Sequence, residues 1–283
     1  SYNQTEVTHT YTAAGTYTIR ILGAITAGWI FNNGGDRLKM GDITTWGEFS
    51  CTANHTFYGC SNMTSIGSDV DFLNQATSLG GYFYNCGLTS LPSTLTLASL
   101  TAGSYLFNSN SLTALPTLMT LANLTYGYNM FEGNSLTSLP SGMALANLTY
   151  GSYMFGYNSL TSLPSGMTLA NMTNGTYMFN SNSLTTLPTL MTLANLTYGF
   201  GMFYGNSLAA LPSGMTLANL QNGNQMFRYN SLTALPSGMT LASLTAGGYM
   251  FYGNSLTTLP TIMTLANLIN GSYMFHSSSL TDL

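Results

Sequence analysis

Apolar and polar positions recur along most of this chain with a period of 24 residues. Phenylalanines mark the period without any insertion between them: Phe83, Phe107, Phe131, Phe155, Phe179, Phe203, Phe227, Phe251 and Phe275. All eight prolines keep the same spacing, ten residues into each unit. A fixed period of this size predicts a solenoid, in which each unit buries its apolar side only against its neighbours.

The unit over 131–154 predicts which side chains point inward. These are its apolar columns: Phe131, Leu136, Leu139, Met143, Leu145, Leu148 and Met154. Residues 136–139 suit a short strand that stops at Pro140, because proline cannot donate the next ladder hydrogen bond. The spacing from Leu148 to Phe155 favours one or two helical, 3₁₀ or irregular turns. The fold class expected is therefore an α/β, strand-dominated solenoid, a leucine-rich-repeat stack of 24-residue units.

Three regions follow from the pattern. Residues 1–30 are predicted to form an N-terminal β-hairpin cap, with strands at 7–12 and 16–21, although these strands could equally join another subunit. Residues 31–82 are read as two degenerate 26-residue units, and residues 83–283 as eight regular repeats plus a partial terminal repeat. No polar capping sequence closes the array, so we expect the last unit to continue into further chain or to contact a second copy head-to-tail.

A polar column stands three residues after each phenylalanine. It is predicted to be a structural ladder, because an asparagine amide can both donate and accept hydrogen bonds where coils bend. Its members are Cys60, Cys86, Asn110, Asn134, Asn158, Asn182, Asn206, Asn230 and Asn254. The two cysteines are expected to be buried thiols, with a Cys60–Cys86 disulfide between neighbouring coils as the alternative.

Charge is scarce and excludes several classes of function. Charged residues make up 4% of the chain, and only four are Lys or Arg, so a nucleic-acid surface is excluded. No run of about 20 apolar residues predicts a membrane span. The chain starts at Ser1 without an initiator Met or a signal peptide, as a mature or trimmed product would.

No constellation of reactive residues predicts an enzyme. His9, His55 and His276 lie far apart and have no acid or nucleophile at motif spacing. Asp69 and Asp71 are weak candidates for calcium, because no further oxygen ligands accompany them. We therefore expect no catalytic residue, no metal and no cofactor.

Nine sequences have the form Asn-X-Ser/Thr. The candidate N-glycosylation sites are Asn3, Asn54, Asn62, Asn123, Asn147, Asn171, Asn174, Asn195 and Asn270. They carry glycans only in a glycosylating secretory host, and a chain rich in Asn and Thr also produces such sequences by chance.

Some columns vary freely between repeats and form the candidate binding face. Its residues are Tyr128, Tyr153, Tyr177, Phe200, Tyr204, Arg228, Tyr252 and His276. An alphabet of Tyr, Asn, Ser and Gly is typical of adaptable binding surfaces and suits an uncharged partner such as a glycan or a protein. The alternative is drift of unconstrained exposed residues. A threonine column exemplified by Thr137 and Thr161 raises ice binding as a less favoured function.

The unit that begins Phe57-Tyr58-Gly59-Cys60, together with the leader around residues 9–19 and 31–36, resembles the BspA-like leucine-rich repeats of microbial surface proteins. The resemblance implies an extracellular or cell-surface solenoid for adhesion or partner binding, without catalytic residues. The chain departs from the pattern by shortening the repeat to 24 residues and replacing Cys by Asn. A bacteriophage tail-fibre or receptor-binding segment on a virion is the alternative.

Overall fold

The computed structural model describes residues 11–281, and from Ser78 onward they form a stack of parallel coils in which each residue lies beside the one 24 positions later. Single-residue parallel backbone bridges mark this register, from Ser78 to Ala102, from Ala102 to Tyr126, and onward in the same step to Asn270. The regular elements within 11–281 are a 3₁₀ turn over Arg37–Lys39 and one short helix, α1, over Asp71–Gln75. Everything else in the described stack is built of turns and irregular backbone.

The phenylalanine column runs through the centre of the stack. From Phe57 to Phe275, neighbouring rings lie face to face with centroids 5.5–5.7 Å apart and planes within 16° of parallel. Every ring from Phe57 to Phe251 is at most 1% exposed. The predicted solenoid of equal coils in register is therefore confirmed.

Leucine and methionine fill the space around these rings. In the 131–154 coil, six of the seven residues predicted to point inward are buried, and Leu139 is half-buried against the same core. The same columns are buried in the neighbouring coils, so one apolar core runs along the array. Each coil buries its apolar side against the coils before and after it, as expected for a solenoid.

The prediction that strands dominate the repeat is not met. Within 11–281 the backbone pairs only through single-residue bridges, because left-handed residues interrupt the extended conformation at fixed places; Tyr153 and Tyr157 have φ of 57° and 54°. The N–H groups of Gly151, Tyr153 and Phe155 still donate to carbonyls of the next coil, at 2.9–3.0 Å. The N–H of Met154 donates back to Gly151 instead. Backbone hydrogen bonds thus join the coils without forming a sheet.

The segment predicted as an N-terminal hairpin differs as well. Residues 16–21, the expected second strand, form no strand, and Ile19 and Ile21 are 71% and 50% exposed. The expected first strand lies largely outside the described residues. Over 11–30 the backbone makes one bridge, from Ile25 to Phe49, because the alternating side chains of this segment find no apolar surface to cover.

The two 26-residue units over 31–82 differ from the regular coils in what they insert. One contains the 3₁₀ turn and the other contains α1. Trp46 packs between them, with its ring centroid 5.1–5.6 Å from Phe49, Phe57 and Phe72. Trp46 is therefore buried against the first rings of the phenylalanine column.

Candidate functional site

The surface beside the phenylalanine column carries most of the residues that vary between repeats. We call it the variable face and define it as the residues three and two before, and one and two after, each repeat phenylalanine. For the coil boundary at Phe155 these are Ser152, Tyr153, Gly156 and Tyr157. The buried residues Met154 and Phe155 anchor them. An interior that recurs from coil to coil thus presents a variable exterior, as binding scaffolds do.

Two columns of this face have left-handed backbone. The residue two before phenylalanine has φ of 54–61° wherever it is not glycine between Tyr105 and Tyr273. Left-handed conformation costs roughly 1–2 kcal/mol in any residue that has a Cβ. Five of the nine residues in this column are nevertheless tyrosine: Tyr105, Tyr153, Tyr177, Tyr249 and Tyr273. Their side chains therefore contribute interactions that offset a local backbone cost.

The aromatic side chains of the variable face contact one another across coils. The rings of Tyr153 and Tyr177 stack with centroids 4.9 Å apart, and Phe200 meets Tyr177 edge-on at 5.0 Å. Tyr252 and His276 stack at 5.1 Å, with planes only 5° apart. Stacked rings present a flat, rigid and largely apolar surface with polar edges, which is the geometry of an aromatic recognition platform.

Glycines of the variable face lie directly beneath aromatic rings of the preceding coil. A Cβ added at Gly201 would clash with the ring of Tyr177, and one added at Gly253 would lie 2.7 Å from the ring of Tyr229. Both glycines also have positive φ, 58° and 72°. Variation in these two pairs of coils is therefore coupled, because Tyr177 and Tyr229 in their observed positions leave no room for a Cβ at Gly201 and Gly253.

Arg228 lies at the centre of the largest aromatic cluster. Its guanidinium carbon is 4.6 Å from the ring centroid of Tyr229, 4.9 Å from those of Tyr249 and Tyr252, and 5.8 Å from that of Tyr204. Its Nη2 donates to the Tyr229 hydroxyl at 3.0 Å, and its Nη1 donates to the Gln225 side chain at 3.4 Å. Its Nε is buried without a hydrogen-bond partner. The tyrosine rings contact the guanidinium through their faces, and part of the hydrogen-bond donor capacity of Arg228 remains unused.

Glu132 occupies the corresponding position four coils earlier and has amide neighbours. Its Oε2 accepts hydrogen bonds from the side chains of Asn108, at 2.9 Å, and Asn129. Burial raises the pKa of Tyr153, and the nearby Tyr157 and the Glu132 carboxylate raise it further. The acidic and the basic residue of the array therefore lie in separate clusters.

The predicted binding residues fall into three groups. Tyr153, Tyr177 and Phe200 form one group. Tyr204, Arg228, Tyr252 and His276 belong to the cluster around the arginine, and Tyr128 lies apart, with its ring 6.0 Å from that of Tyr150.

Sequence reasoning omitted two members of the arginine cluster, Tyr229 and Tyr249. It also omitted Tyr273, whose ring stacks on that of Tyr249. The recurrence of tyrosine two residues before phenylalanine could have revealed Tyr249 and Tyr273. Tyr229 had no such signal, because its column is mostly glycine and serine.

The asparagine column on the other side of phenylalanine joins successive coils. Asn158 accepts a hydrogen bond from the Leu136 N–H at 3.0 Å and donates to the Phe131 carbonyl at 2.9 Å, both in the preceding coil. It also donates to Phe155 in its own coil. The same pattern recurs from Asn110 to Asn254, with Oδ1 and Nδ2 bonded to the preceding coil at 2.8–3.0 Å. These amides satisfy buried backbone groups, so we assign the column a structural role.

The cysteines that precede this ladder are free and buried. The Cys86 thiol donates to the Phe57 carbonyl at 3.0 Å, and no disulfide joins it to Cys60. Burial raises the pKa of both thiols to about 12, which opposes formation of the reactive thiolate. The disulfide alternative is therefore wrong for this structure.

Several candidate glycosylation sites form a second ladder that sequence reasoning missed. The Nδ2 atom of Asn147 donates to the Ala122 carbonyl of the preceding coil at 2.8 Å. The equivalent bonds of the same column measure 2.7–2.9 Å and start at Asn123, Asn171, Asn195, Asn219 and Asn267. Nδ2 is also the atom that a glycan would modify, so the recurrence of these sequences has a structural explanation.

The remaining candidate sites behave differently. The Asn54 oxygen accepts from the Gly80 N–H at 2.9 Å, Asn62 donates to the Leu38 carbonyl at 2.5 Å, and the Asn270 oxygen accepts from Ser272 at 3.1 Å. The Asn174 oxygen accepts from the Thr176 N–H, and Asn3 lies outside the described residues. Nothing in these contacts marks a glycan site.

The carboxylates considered for calcium have structural partners. The oxygens of Asp69 accept hydrogen bonds from the N–H groups of Trp46 and Gly47 at 2.9–3.0 Å, and Asp71 is the first residue of α1. Within residues 11–281, no three His, Cys, Asp or Glu side chains come close enough to hold a metal ion. Asp69 thus connects two loops through the backbone.

These observations define a tandem-repeat solenoid with an invariant apolar core and a variable aromatic face. Residues 39–161 match the model of the BspA-type leucine-rich repeat region in six copies, which confirms the resemblance found in the sequence. Repeats of this family commonly mediate surface adhesion or protein binding and are generally non-enzymatic. The same 24-residue spacing continues beyond the matched segment to Phe275. A search of curated proteins found no match.

The part of the chain that the structure describes contains no helix long and apolar enough to cross a bilayer.

Proposed function

We propose that this chain is a non-enzymatic extracellular scaffold that binds a surface glycan or protein through its variable face and so mediates adhesion. The observation that carries the proposal is the set of stacked aromatic side chains held on left-handed backbone, represented by Tyr153 and Tyr177. These rings are half-exposed although the interior beneath them is fully packed. Rigid aromatic anchors among small polar residues are the composition that binding surfaces use.

The coupling between rings and glycines also supports a binding role. Residues that drift without constraint vary independently, whereas the observed ring positions of Tyr177 and Tyr229 leave no room for a Cβ at Gly201 and Gly253. Such pairs keep each ring flat against the stack, where it offers its face to a partner. The family match to adhesive repeats agrees with this interpretation.

A test uses variants that the chain itself already accommodates. Tyr153→Asn with Tyr177→Asn places at both positions the residue found at Asn129 in the same column. The matched control is Thr185→Ala on the threonine column, where the chain already has Ala209. We expect the double variant to lower adhesion of protein-coated beads to cells, and binding on glycan and protein arrays, about tenfold or more. The control should bind as the unmodified protein does; equal loss in both, or in neither, would overturn the proposal.

Head-to-tail self-association is a second candidate. Ile269 is 87% exposed and stands in a column that otherwise holds threonine or glutamine in the regular coils. Half-buried core residues of the same coil, such as Leu268 and Phe275, continue that apolar surface. We expect concentration-dependent association in sedimentation velocity that Ile269→Thr abolishes. A monomer at all concentrations would contradict it.

Two other interpretations have simple tests. A tail-fibre role would place the chain on a virion, which immunogold labelling of phage particles can detect. Ice binding by the threonine column would appear as thermal hysteresis, and we expect none because the threonines are accounted for as exposed residues between inward leucines.

A further inference from the structure

We propose that the cluster around Arg228 is a binding site for a saccharide that carries a carboxylate, with the guanidinium as its anion-binding group and the surrounding tyrosines as its stacking surface. This inference rests on the proposed function and specifies the ligand class for one part of the variable face. The site comprises Arg228, Tyr204, Tyr229, Tyr249 and Tyr252, with His276 at its edge.

The charge distribution of the array points to an anion. Arg228 is the only residue with a formal charge between positions 133 and 281. Its hydrogen-bond acceptors are a neutral amide and a phenol, so no carboxylate of the protein compensates it. Arginine presents a planar fork that matches a carboxylate with two parallel hydrogen bonds. Each Nη nitrogen has a second hydrogen beyond the single bond that it donates within the protein.

The surrounding tyrosine rings orient the Arg228 guanidinium but do not neutralise its charge. Four tyrosine rings lie within 4.6–5.8 Å of the guanidinium carbon, and the edge-on contact of Tyr229 with Tyr252, at 81° and 5.6 Å, fixes the walls of the cluster. Cation–π contacts hold a cation by ring faces and leave its in-plane N–H groups for other acceptors. A preorganised fork loses little side-chain freedom when it binds, so it gains affinity.

The count of charges distinguishes a sugar acid from other anions. A nucleic acid or a strongly acidic peptide brings many negative charges and needs several cations, whereas this surface offers one. Its remaining groups are phenol hydroxyls, amides and flat rings, which suit the hydroxyl edges and C–H faces of a pyranose. One carboxylate within an otherwise uncharged, hydroxyl-rich ligand matches that composition. Uronic acids within a polysaccharide and terminal sialic acids share this chemistry.

The experiment compares each acid with its neutral counterpart on the full chain by isothermal titration calorimetry. The probes are galacturonic acid and its methyl ester for the uronic source, and sialyllactose and lactose for the sialic source. We expect at least one acid to bind about 10- to 100-fold more tightly than its neutral partner. Equal affinity of acid and neutral sugar in both pairs would overturn the inference.

Variants at position 228 assign the effect to the guanidinium. Arg228→Asn is matched to Asn180 in the same column, and Arg228→Lys keeps the charge but loses the fork. Arg228→Asn should remove the preference for the acid and leave neutral-sugar binding unchanged, and Arg228→Lys should retain only part of it. Tyr252→Asn should weaken the acid and the neutral sugar alike, by about threefold to tenfold. A preference that survives Arg228→Asn would also overturn the inference, with circular dichroism confirming that the variants fold.

The outcome separates this inference from the proposed function. Adhesion that depends on Tyr153 and Tyr177, without binding of any of the four sugars, would reject the sugar-acid site and leave the adhesive role intact. Adhesion that does not depend on Tyr153 and Tyr177, together with acid binding that depends on Arg228, would reject the adhesive role of those tyrosines and leave the sugar-acid site intact.

Discussion

The coils over 31–82 and the regular array from Phe83 onward solve the same problem with different chemistry. Both must satisfy backbone N–H groups where the coil bends. In the early coils the carboxylates of Asp42 and Asp69 accept several of those hydrogen bonds, at 2.8–3.0 Å, alongside the amides of Asn54 and Asn74. In the regular array the amide of Asn158 and its equivalents accept them. Carboxylates respond to pH and amides do not, so the two regions should differ in how they respond to acid while sharing one core.

The difference also shows how uniformity is maintained. The early coils are irregular in length and use individual solutions, such as Trp46 against three phenylalanines and the 3₁₀ turn of Arg37–Lys39. The regular coils repeat one arrangement. Each phenylalanine stacks on that of the next coil, and the asparagine ladder joins successive coils by hydrogen bonds. Repetition reduces the need for charge, since backbone N–H groups such as those of Leu136, Tyr153 and Phe155 meet neutral partners in the adjacent coil.

The largest effect is expected from the core that both regions share. Phe155→Ala should destabilise the array by about 3–5 kcal/mol, because it opens a cavity between two stacked rings. Phe31→Ala should cost less, since Phe31 is only half-buried and tilted 39° against Phe57. Chemical denaturation measures both. Equal losses would show that the early coils are packed as tightly as the regular ones.

A smaller loss is expected from the asparagine ladder. Asn158→Ala would leave the buried Leu136 N–H without a partner, whereas the Phe131 carbonyl would keep its hydrogen bond from Asn134, so we expect a loss of about 1–3 kcal/mol. Hydrogen exchange of the Leu136 amide should accelerate while amides two coils away keep their protection. An unchanged exchange rate would mean that water or the backbone replaces the amide without cost.

Acidification should destabilise the coils over 31–82 more than the regular array. Desolvation would raise the pKa of Asp69, but hydrogen bonds from the Trp46 and Gly47 N–H groups outweigh it and hold the pKa below its ordinary value. For Asp42, desolvation is likewise outweighed by Thr64 and Ser65, and the pKa is lowered. A lowered pKa stabilises the folded state above the unfolded value, near 4, and this stabilisation is lost as pH falls through the folded value.

Hydrogen exchange with mass spectrometry between pH 7 and pH 2.5, corrected for intrinsic exchange, tests this expectation. Peptides from 40–70 should lose protection on acidification, and peptides from the regular array should not. Asp69→Asn supplies a matched control, because it keeps an acceptor oxygen but cannot titrate. Uniform loss of protection along the whole chain would contradict the assignment.

The smallest effect is expected from the second, exposed ladder. Asn147→Ser removes the bond to the Ala122 carbonyl but introduces the residue already present at Ser99 and Ser243. We expect a loss of less than about 1 kcal/mol, because water can reach an exposed carbonyl. Denaturation beside Asn158→Ala gives the comparison directly. A loss as large as that of Asn158→Ala would show that the two ladders are equally important.

Prediction from the sequence was most successful where the same residue type has the same structural role in every coil. The period of Phe131 and the inward leucines followed from spacing alone, because burial in a solenoid repeats with the sequence. The strand predicted over 136–139 is absent, since the Leu136 N–H donates to the Asn158 side chain instead of a backbone carbonyl and the Thr137 N–H reaches the Thr113 carbonyl only at 3.5 Å. Left-handed tyrosines could not be foreseen, because that conformation favours glycine and asparagine.

The candidate site could be predicted from the sequence only in part, for a related reason. A list of variable residues shows which positions differ, but the cluster around Arg228 depends on which neighbours meet across three coils. Tyr229 reaches the guanidinium from its own coil and Tyr252 from the next. Such contacts arise from pairs of coils, and no single repeat contains them.

The glycines beneath the aromatic rings have a consequence for how such a protein can change over generations. If the coil bearing Gly201 were moved, or exchanged for one with a larger residue at that position, the ring of Tyr177 could not keep its observed position. Recombination among near-identical repeats should therefore succeed mainly when adjacent coils travel together. The unit that recombines successfully is then a pair of neighbouring coils, so the order of the coils matters in addition to their individual sequences.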